Sequence, residues 1–438
     1  MSTLSGSNVQ VESPTQIKYS SIGQAARRAG RGVVNILITL LALLLALPVI
    51  LLPGTTAVPW FGWLALGIVD VALLVILFTR AQTAAHISLI FVAITGVSIL
   101  AIALSQWFAA TPPIRDSAGR PIPGSIAELE AVELNGHRQW ITIRGHDQTK
   151  PVLLFLAGGP GGSQLAATRK FLGELEEHFV VVNWDQPGAG KSFRAADFAT
   201  LTPEQYVADG HALTLYLQQR FGREKIYILG ESWGSILGVW LVQRYPDHYQ
   251  AMVGVAQMVD FLETDTYDYS LALRLAFESG DFTKVGKLMR QGPPPYYGDG
   301  VAWKVAEYVL YLSQHMTGNP AITGPGYDTL GDIASPEYGL YDKVNYFRGL
   351  ITTMNAVWSQ LWGVDLREQA PRLEVPIYFL EGRHDINAPP VLVESYLQQL
   401  EAPHKEMIWF EHSGHSPWVD EAAKVVDVMV NTVLTDTQ

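Results

Sequence analysis

The residues best suited to chemistry lie in one short segment, where an apolar run ends in Gly230-Glu231-Ser232-Trp233-Gly234. The run Ile226–Leu229 has the length and β-branched character of a strand, and Ile236–Tyr245 carries apolar residues at helical spacing. A serine between such a strand and helix lies on a sharp turn, the nucleophile elbow, which needs glycines where the backbone passes closely. The pattern therefore predicts Ser232 as a nucleophile.

A serine hydroxyl becomes reactive only when a base removes its proton, and the base needs an acid to orient it. Two later strand ends offer these groups. Asp385 follows the strand predicted at Pro376–Leu380, and His415 follows the strand predicted at Glu406–Phe410. We therefore predict Asp385 as the acid and His415 as the base for Ser232.

Each of these assignments has an alternative nearby. His412 is close to His415, but Gly414 and the helix predicted directly after His415 favour a histidine turned back towards the serine. Asp260 ends an earlier predicted strand and is the other candidate acid. His384 is interpreted as a loop residue.

An oxyanion hole requires two backbone amides near the nucleophile, one from the residue after the serine and one from a loop after an earlier strand. Trp233 supplies the first, and the loop Gly158–Gly162 supplies the second, with Gly159 as the predicted donor. The loop could also be a flexible turn or an anion-binding nest. Gly188–Ser192 resembles part of a phosphate-binding Walker A loop but has Asp185 where that motif needs glycine.

The elements around these motifs predict an α/β fold. Asn135-Gly136 joins two predicted strands, Glu128–Leu134 and Gln139–Arg144, as a hairpin. Later strands are apolar throughout and alternate with helices, which is typical of a mostly parallel sheet covered on both faces. These later strands are predicted at Pro151–Leu156, Phe179–Trp184, Ile226–Leu229, Met252–Met258, Pro376–Leu380 and Glu406–Phe410. The order Ser, Asp, His agrees with such a fold.

One long interval between the strands contains only helical patterns and loops rich in Pro, Gly and Tyr. Its helix-like pieces include Leu271–Arg290 and Val301–Gln314. An insertion of this size over the carboxyl edge of a sheet predicts a helical cap that bounds the substrate pocket and excludes water.

Composition excludes several classes of function. The 438 residues contain no cysteine, so disulfides, thiolate metal sites and a cysteine nucleophile are impossible. A net charge of −12 argues against a nucleic-acid partner. No cofactor or metal is predicted. Because 48% of the residues are hydrophobic, part of the chain is expected to lie in a membrane.

The hydrophobic excess is concentrated near the N-terminus in three predicted transmembrane helices. They are Val33–Leu52, Trp60–Thr79 and His86–Gln106. The positive-inside rule places the N-terminus in the cytoplasm and the chain after about Gln106 outside it. The basic residues that support this orientation are Lys18, Arg27, Arg28, Arg31 and Arg80, while Arg115 and Arg120 oppose it. A cleaved signal peptide is the alternative interpretation of the first helix.

Asp70 lies within the second predicted span, where a carboxyl group is costly. We predict that Asp70 contacts another helix or a membrane partner. The alternative is a protonated or hydrogen-bonded side chain without further role. The predicted organisation is a cytoplasmic tail, a membrane domain, a linker rich in Pro and Gly, a first core segment, the cap and a second core segment. Their bounds are 1–32, 33–110, 111–125, 126–260, 261–373 and 374–438.

Five motifs in this order resemble the α/β-hydrolase superfamily, and more narrowly its proline iminopeptidase-like branch, peptidase family S33. The motifs are Gly158-Gly159-Pro160-Gly161, Trp184–Ser192, Gly230–Gly234, Gly382-Arg383-His384-Asp385 and Gly414-His415-Ser416. The resemblance covers residues from Ile126 to the C-terminus. It implies hydrolysis through an acyl-enzyme, with Ser232, Asp385 and His415 as the triad and Gly159 and Trp233 as oxyanion donors.

The chain departs from this pattern at three places besides the added spans. Ala157 stands where the family usually has histidine, and Pro187 stands where it has arginine, which removes a buried cation. The glutamate-bearing cap motif that binds the substrate's amino group is not recognisable. Acidic residues of the predicted cap could serve instead, although surface solvation is the first interpretation of each. These residues are Glu263, Asp265, Asp268 and Glu278.

The sequence thus predicts a membrane-anchored serine hydrolase whose catalytic domain faces outwards. The preferred activity is an aminopeptidase that releases an N-terminal residue, such as proline, from short peptides. An esterase or amidase acting on small or lipid-like substrates is the first alternative. A non-catalytic membrane receptor or complex subunit, which binds a partner through the spans and Asp70, is the alternative of another class.

Overall fold

A computed structural model describes residues 14–80 and 83–437. The described chain divides into two compact units, one formed by the chain up to Pro53 with Val58–Leu104, and one formed by Gly54–Ala57 with the chain from Ser105 onwards. Residues 1–13 of the predicted cytoplasmic tail lie outside the described residues. So do the side chains of Lys18, Arg27, Arg28 and Arg31, on which the predicted orientation depends.

The first unit is built from three helices, α1 (Pro14–Thr55), α2 (Trp60–Thr79) and α3 (Ala84–Trp107). Three segments, Gly32–Thr55 with 24 residues, α2 with 20 and α3 with 24, are long and apolar enough to cross a membrane. Since an α-helix rises about 1.5 Å per residue, even the shortest reaches about 30 Å, the thickness of a hydrocarbon core. The prediction of three apolar N-terminal helices is confirmed, and their orientation stays a prediction.

Asp70 lies inside this helical unit. Only 4% of its surface is exposed, and neither carboxylate oxygen has a hydrogen-bond partner among the described residues. One cluster of buried apolar side chains in this unit consists of Ala42, Ala46, Leu77, Ile90 and Ile94. The role of Asp70 stays a prediction.

The second unit is organised around one sheet, which comprises eight strands within the described residues. The strands are β1 (Ile126–Leu134), β2 (His137–Gly145), β3 (Val152–Leu156), β4 (Val180–Asp185), β5 (Ile226–Glu231), β6 (Tyr249–Val255), β7 (Ile377–Gly382) and β8 (Lys405–Phe410). Their order is β1-β2-β4-β3-β5-β6-β7-β8. β2 pairs antiparallel with β1 and β4, and every other neighbouring pair is parallel.

Both faces of the sheet are buried, as the apolar strands predict. In β3, Val152, Leu154 and Leu156 belong to one hydrophobic cluster, whereas the alternating residues Leu153 and Phe155 belong to another. Successive side chains of a strand point to opposite faces, so two apolar layers require apolar residues at every position. This explains why the central strands lack the alternation of a half-exposed sheet.

Helices cover these two faces and form the interval between β6 and β7. They are α4 (Ala167–Phe171), α5 (Pro203–Phe221), α6 (Trp233–Arg244), α7 (Phe261–Glu278), α8 (Phe282–Gln291), α9 (Val301–Thr317), α10 (Thr329–Ile333), α11 (Leu340–Val357), α12 (Leu366–Gln369), α13 (Pro390–Gln399), α14 (Pro417–Asp420), α15 (Ala422–Asp427) and α16 (Leu434–Asp436). Helices α7 to α12 lie in the predicted cap interval. The prediction of one helix over Leu271–Arg290 is wrong, because Gly280 adopts φ 75° and separates α7 from α8.

Candidate active site

Ser232 occupies a sharp turn between β5 and α6. Its φ of 53° and ψ of −119° are rare for a residue with a side chain. A Cβ on Gly230 would lie 2.3 Å from the carbonyl oxygen of Gly234, and one on Gly234 would lie 2.1 Å from that of Leu156. Both glycines are therefore needed for the backbone contacts that hold Ser232 at the strand end.

His415 and Asp385 meet in the loops that follow β8 and β7. Nδ1 of His415 lies 2.8 Å from Oδ2 of Asp385. The other oxygen of Asp385, Oδ1, accepts hydrogen bonds from the amides of Asn387 (2.8 Å) and Ala388 (3.0 Å). The carboxylate is thus fixed on both sides, and it orients the imidazole while Nε2 remains available for another group.

The alternative residues are engaged elsewhere. Asp260 caps α7, where Oδ1 accepts a hydrogen bond from the amide of Glu263, and it forms an ion pair with Arg367. His412 is exposed, and its Nδ1 lies 3.4 Å from the carbonyl oxygen of Ala321. In contrast to His412, His415 lines a cavity together with Ser232.

The environment of His415 favours its charged form. Burial opposes the imidazolium, but the charge and hydrogen bond of Asp385 and the charge of Glu231 outweigh it and raise the pKa of His415 to about 9. When the imidazole of His415 accepts a proton from a serine, the carboxylates of Asp385 and Glu231 stabilise the resulting imidazolium. The uncharged imidazole that begins such a reaction is correspondingly favoured at higher pH.

The predicted oxyanion donors also line this cavity, which contains Gly159, Ser232 and Trp233. Trp233 is the first residue of α6, so its amide has no acceptor within the helix. Gln186 braces both donor segments: its Oε1 accepts from the indole of Trp233 at 2.9 Å, and its Nε2 donates to the carbonyl of Ala157 at 3.1 Å. This side-chain bridge is formed at the position where Ala157 replaces the histidine that the family usually has.

Pro187 itself supplies no cation, but a buried cation lies close to it in the sequence. Lys191, four residues later, is buried, and its Nζ lies 2.6 Å from Oδ2 of Asp342 in α11. The ammonium also lies 4.6 Å from the ring centre of Trp140. A buried cation is therefore present from another position. Because Lys191 is held in this ion pair, the Walker A interpretation of the segment loses its phosphate ligand.

A cavity of about 550 Å³ opens between the nucleophile and the cap helices. It contains Ser232 and His415 on the sheet side. Its remaining wall is mostly apolar and includes Met258, Phe261, Val305, Val309, Leu350, Ile351, Met354 and Trp358. Large side chains at its edge are substantially exposed, with Trp303 at 63%, Leu310 at 60% and Phe347 at 49%. This cavity suits a substrate with a sizeable apolar part.

Two acidic side chains interrupt the apolar wall. Asp265 and Asp268 of α7 are 2% and 1% exposed and line the cavity, so surface solvation is wrong for these two cap acids. Glu263 and Glu278 are exposed, as expected. Oδ2 of Asp265 accepts from the indole of Trp358 at 2.8 Å, whereas Oδ1 of Asp268 has no partner among the described residues. Burial raises the pKa of Asp265 to about 7 and also raises that of Asp268.

A smaller cavity of about 290 Å³ shares Ser232 and His415 with the larger one. Glu231, the residue before the serine, lines it and is 5% exposed. Its Oε2 accepts a hydrogen bond from Nε2 of Gln164 at 2.8 Å. The sequence reasoning missed Glu231, although a charged residue at the end of an otherwise apolar strand was a visible signal.

These groups together can perform acyl transfer, with a hydroxyl nucleophile, an imidazole base, an orienting carboxylate and backbone amides for an oxyanion. Over residues 14–80 and 83–437, no group of three or more His, Asp or Glu residues could hold a metal ion.

Comparisons with known proteins agree with this architecture. A family model described as the alpha/beta hydrolase fold matches residues 151–290. A probable aminopeptidase of Bacillus subtilis (strain 168), YbaC, is 30% identical over 318 residues, which cover 69% of this chain and 94% of the relative. A proline iminopeptidase of Xylella fastidiosa is 32% identical over 119 residues, which span only 36% of that protein.

Solved structures share the fold at lower identity. The crystal structure of a proline iminopeptidase from Mycobacterium smegmatis aligns with a TM-score of 0.51 and 17% identity, covering 70% of this chain and 98% of that one. At this identity the comparison shows the fold alone.

Proposed function

Because this chain belongs to the α/β-hydrolase family, in its proline iminopeptidase-like branch, we propose that it is a membrane-anchored serine aminopeptidase acting on short peptides. It would release the N-terminal residue through an acyl-enzyme. Ser232 is the nucleophile, His415 the base and Asp385 the orienting acid. The amides of Gly159 and Trp233 form the oxyanion hole.

The chemistry begins when Nε2 of His415 takes the proton of Ser232 Oγ as this oxygen attacks the carbonyl carbon of the first peptide bond. The carbonyl oxygen becomes an oxyanion that the two amides stabilise. His415 then donates the proton to the leaving amine, and the C–N bond breaks. Water repeats the sequence on the ester, which frees the amino acid and restores Ser232.

The buried acidic pair of the cap is the observation that carries the aminopeptidase assignment. Asp265 and Asp268 lie in the same apolar cavity as Ser232, and Asp268 has an oxygen without a partner. An unpaired buried carboxylate is costly unless a charge or donor satisfies it. The free α-amino group of a peptide would supply both a positive charge and N–H donors, and this would select substrates with an unblocked N-terminus.

Membrane anchoring is supported by the three apolar helices of the first unit. The basic residues of the N-terminal tail and of the connection at Arg80 support a cytoplasmic N-terminus. With three spans, the catalytic unit lies on the opposite, extracytoplasmic side. Fusing a reporter that is active only in the cytoplasm to the C-terminus tests this orientation, and a strong signal would contradict it.

An esterase or amidase is the second candidate, and the apolar wall of the larger cavity favours it. Met258, Ile351 and Met354 could accommodate an acyl chain, and the exposed Trp303 and Leu310 at the edge could contact a longer one. Such a substrate leaves Asp268 unsatisfied, which is why we place it second.

The nucleophile is tested by labelling the detergent-solubilised full-length protein with a fluorophosphonate probe. We expect the wild type to be labelled and Ser232→Ala to remain unlabelled. Ser235→Ala is the matched control, because Ser235 lies one helical turn away with its Oγ bonded to the carbonyl of Ser232. A folded wild type that takes no label would favour a non-catalytic receptor.

The substrate class is tested with aminoacyl arylamides, their N-acetylated counterparts and acyl esters. We expect cleavage of the free-amine series and at least a 10-fold lower kcat/KM for the blocked series, because acetylation removes the charge that Asp268 would bind. Asp268→Asn should weaken this discrimination, whereas Glu278→Gln, an exposed acid of the same helix, should not. Cleavage of esters alone would exclude the aminopeptidase.

A further inference from the structure

The smaller cavity gives a substrate at Ser232 a second direction in which to extend. It shares Gly159, Ser232, Phe347, Leu350 and His415 with the larger cavity and continues along the Gly158–Gly162 loop. If the proposed function holds, the α-amino group and the first residue occupy the larger cavity beside Asp268. The residue that follows the scissile bond must then enter the smaller cavity.

The wall of this smaller cavity is rich in hydrogen-bond acceptors. Glu231 is almost fully buried, and the described residues give its carboxylate one hydrogen bond, from Gln164 Nε2, and no ion pair with Lys or Arg. Oε1 of Gln164 is buried without a partner among the described residues. Neither lysine nor arginine lines the described part of the cavity, and its cationic group is the imidazolium of His415, which Glu231 helps to stabilise.

Three aromatic rings also line this cavity, those of Tyr327, Tyr346 and Phe347. Aromatic faces attract cations through the negative charge above the ring. A carboxylate, an unpaired amide oxygen and three aromatic rings therefore lie around a space with room for a side chain. This combination is suited to an ammonium or guanidinium group, and it disfavours an acidic one.

The backbone keeps the carboxylate next to the reacting groups. A Cβ on Gly158 would lie 2.6 Å from Oε2 of Glu231, so the glycine leaves the space that the carboxylate occupies beside the oxyanion loop. Gln164, two residues after this loop, donates a hydrogen bond to the same oxygen. Glu231 is thus fixed one residue from Ser232, where it can act on the leaving group.

We propose that the smaller cavity binds a lysine or arginine side chain of the residue directly after the scissile bond, with Glu231 as its counter-ion. This inference rests on the proposed aminopeptidase function for the direction of the substrate. It makes Glu231 a specificity-determining residue for peptides of the form X-Lys or X-Arg.

The test compares C-terminally amidated dipeptides with one N-terminal residue and Lys, norleucine or Glu in the second position. Norleucine has the length of the lysine stem without its charge. For the full-length protein in detergent, we expect kcat/KM about 10- to 100-fold higher for Lys than for norleucine, and lowest for Glu. In Glu231→Gln, which preserves the acceptor for Gln164, the Lys-to-norleucine ratio should fall towards 1. Glu278→Gln, on the exposed surface of the cap, should keep the wild-type ratio.

Equal kcat/KM for Lys and norleucine in the wild type would overturn the proposal without any variant. An equal loss on all three dipeptides in Glu231→Gln, with an unchanged ratio, would instead assign Glu231 to the α-amino group and also overturn it. If no dipeptide is cleaved, the aminopeptidase function fails. The cavity is then tested with butyrylcholine against its uncharged analogue 3,3-dimethylbutyl butyrate: a preference for the cationic alcohol supports the site, and equal rates refute it.

Discussion

Asp265→Asn is expected to make the free energy of unfolding less sensitive to rising pH. The size of the effect follows from the burial of this side chain. In the folded protein the pKa of Asp265 is raised from 3.8 to about 7, mainly because burial disfavours the charged carboxylate. Asparagine has no charge to bury. It also retains a side-chain oxygen that can accept the indole N–H of Trp358.

The direction follows from the two pKa values. A folded pKa above the unfolded one means that the contribution of Asp265 to stability is complete below pH 3.8 and is lost as the pH rises through about 7. One pKa unit corresponds to about 1.4 kcal/mol, and the part of this loss that falls between pH 5 and pH 8 is about 2–3 kcal/mol. The variant should therefore gain about this much stability relative to wild type across that interval.

The measurement is urea unfolding of the catalytic unit in detergent-solubilised full-length protein, followed by tryptophan fluorescence at pH 5, 6, 7 and 8. Glu278→Gln is the control, because Glu278 is an exposed acid of the same helix. A difference in the free energy of unfolding between Asp265→Asn and wild type that stays constant from pH 5 to pH 8 would refute the reasoning. If the acid pair binds the substrate amine, the stabilised variant should also have a higher KM for aminoacyl arylamides.

Three further predictions concern the other groups. Asp385→Asn should lower kcat by about 10⁴-fold and move the rising limb of the pH–kcat/KM profile to lower pH, because Asp385 raises the pKa of His415; an unmoved limb would contradict this. Gln186→Ala should lower kcat about 10- to 100-fold with little change in KM, because Gln186 braces Trp233 and the oxyanion loop; a change confined to KM would assign it to substrate binding. Asp70→Ala should change the complex extracted by mild detergent, because its buried carboxylate has no partner among the described residues; an identical elution profile would argue against a membrane partner.

The positions of the predicted catalytic residues could be read from the sequence because each follows a strand with a strong local pattern. β5 ends at Glu231, β7 at Gly382 and β8 at Phe410, within two residues of the predicted ends. Such strands are buried on both faces, so their apolar runs are unbroken and their ends are marked by glycine and polar residues. The glycines at the elbow are likewise dictated by contacts a few residues away in the chain or in the neighbouring strand.

The surroundings of these residues depend on contacts that no local pattern contains. Asp265 is buried by packing that includes Trp358, 93 residues later, and its spacing on an amphipathic helix equally suits a solvated acid. The ion pair of Lys191 with Asp342 joins positions 151 residues apart. The family resemblance compares single positions, so it indicated only the cation lost at Pro187. The side chains of a cap become predictable only when the helix packing is known.

The charge distribution around the nucleophile links the two proposals. Cationic side chains on nearby segments form ion pairs with carboxylates of the interval between β6 and β7. These pairs are Lys191 with Asp342, Arg169 with Glu337 and Lys170 with Asp332. By contrast, Asp268 in one cavity and Glu231 in the other have no such partner among the described residues. A buried carboxylate without a lysine or arginine partner lowers stability unless another group compensates it. His415 partly compensates Glu231, and a ligand would compensate Asp268. A peptide with a free N-terminus and a basic second residue would neutralise both carboxylates at once, one on each side of the bond that Ser232 would attack.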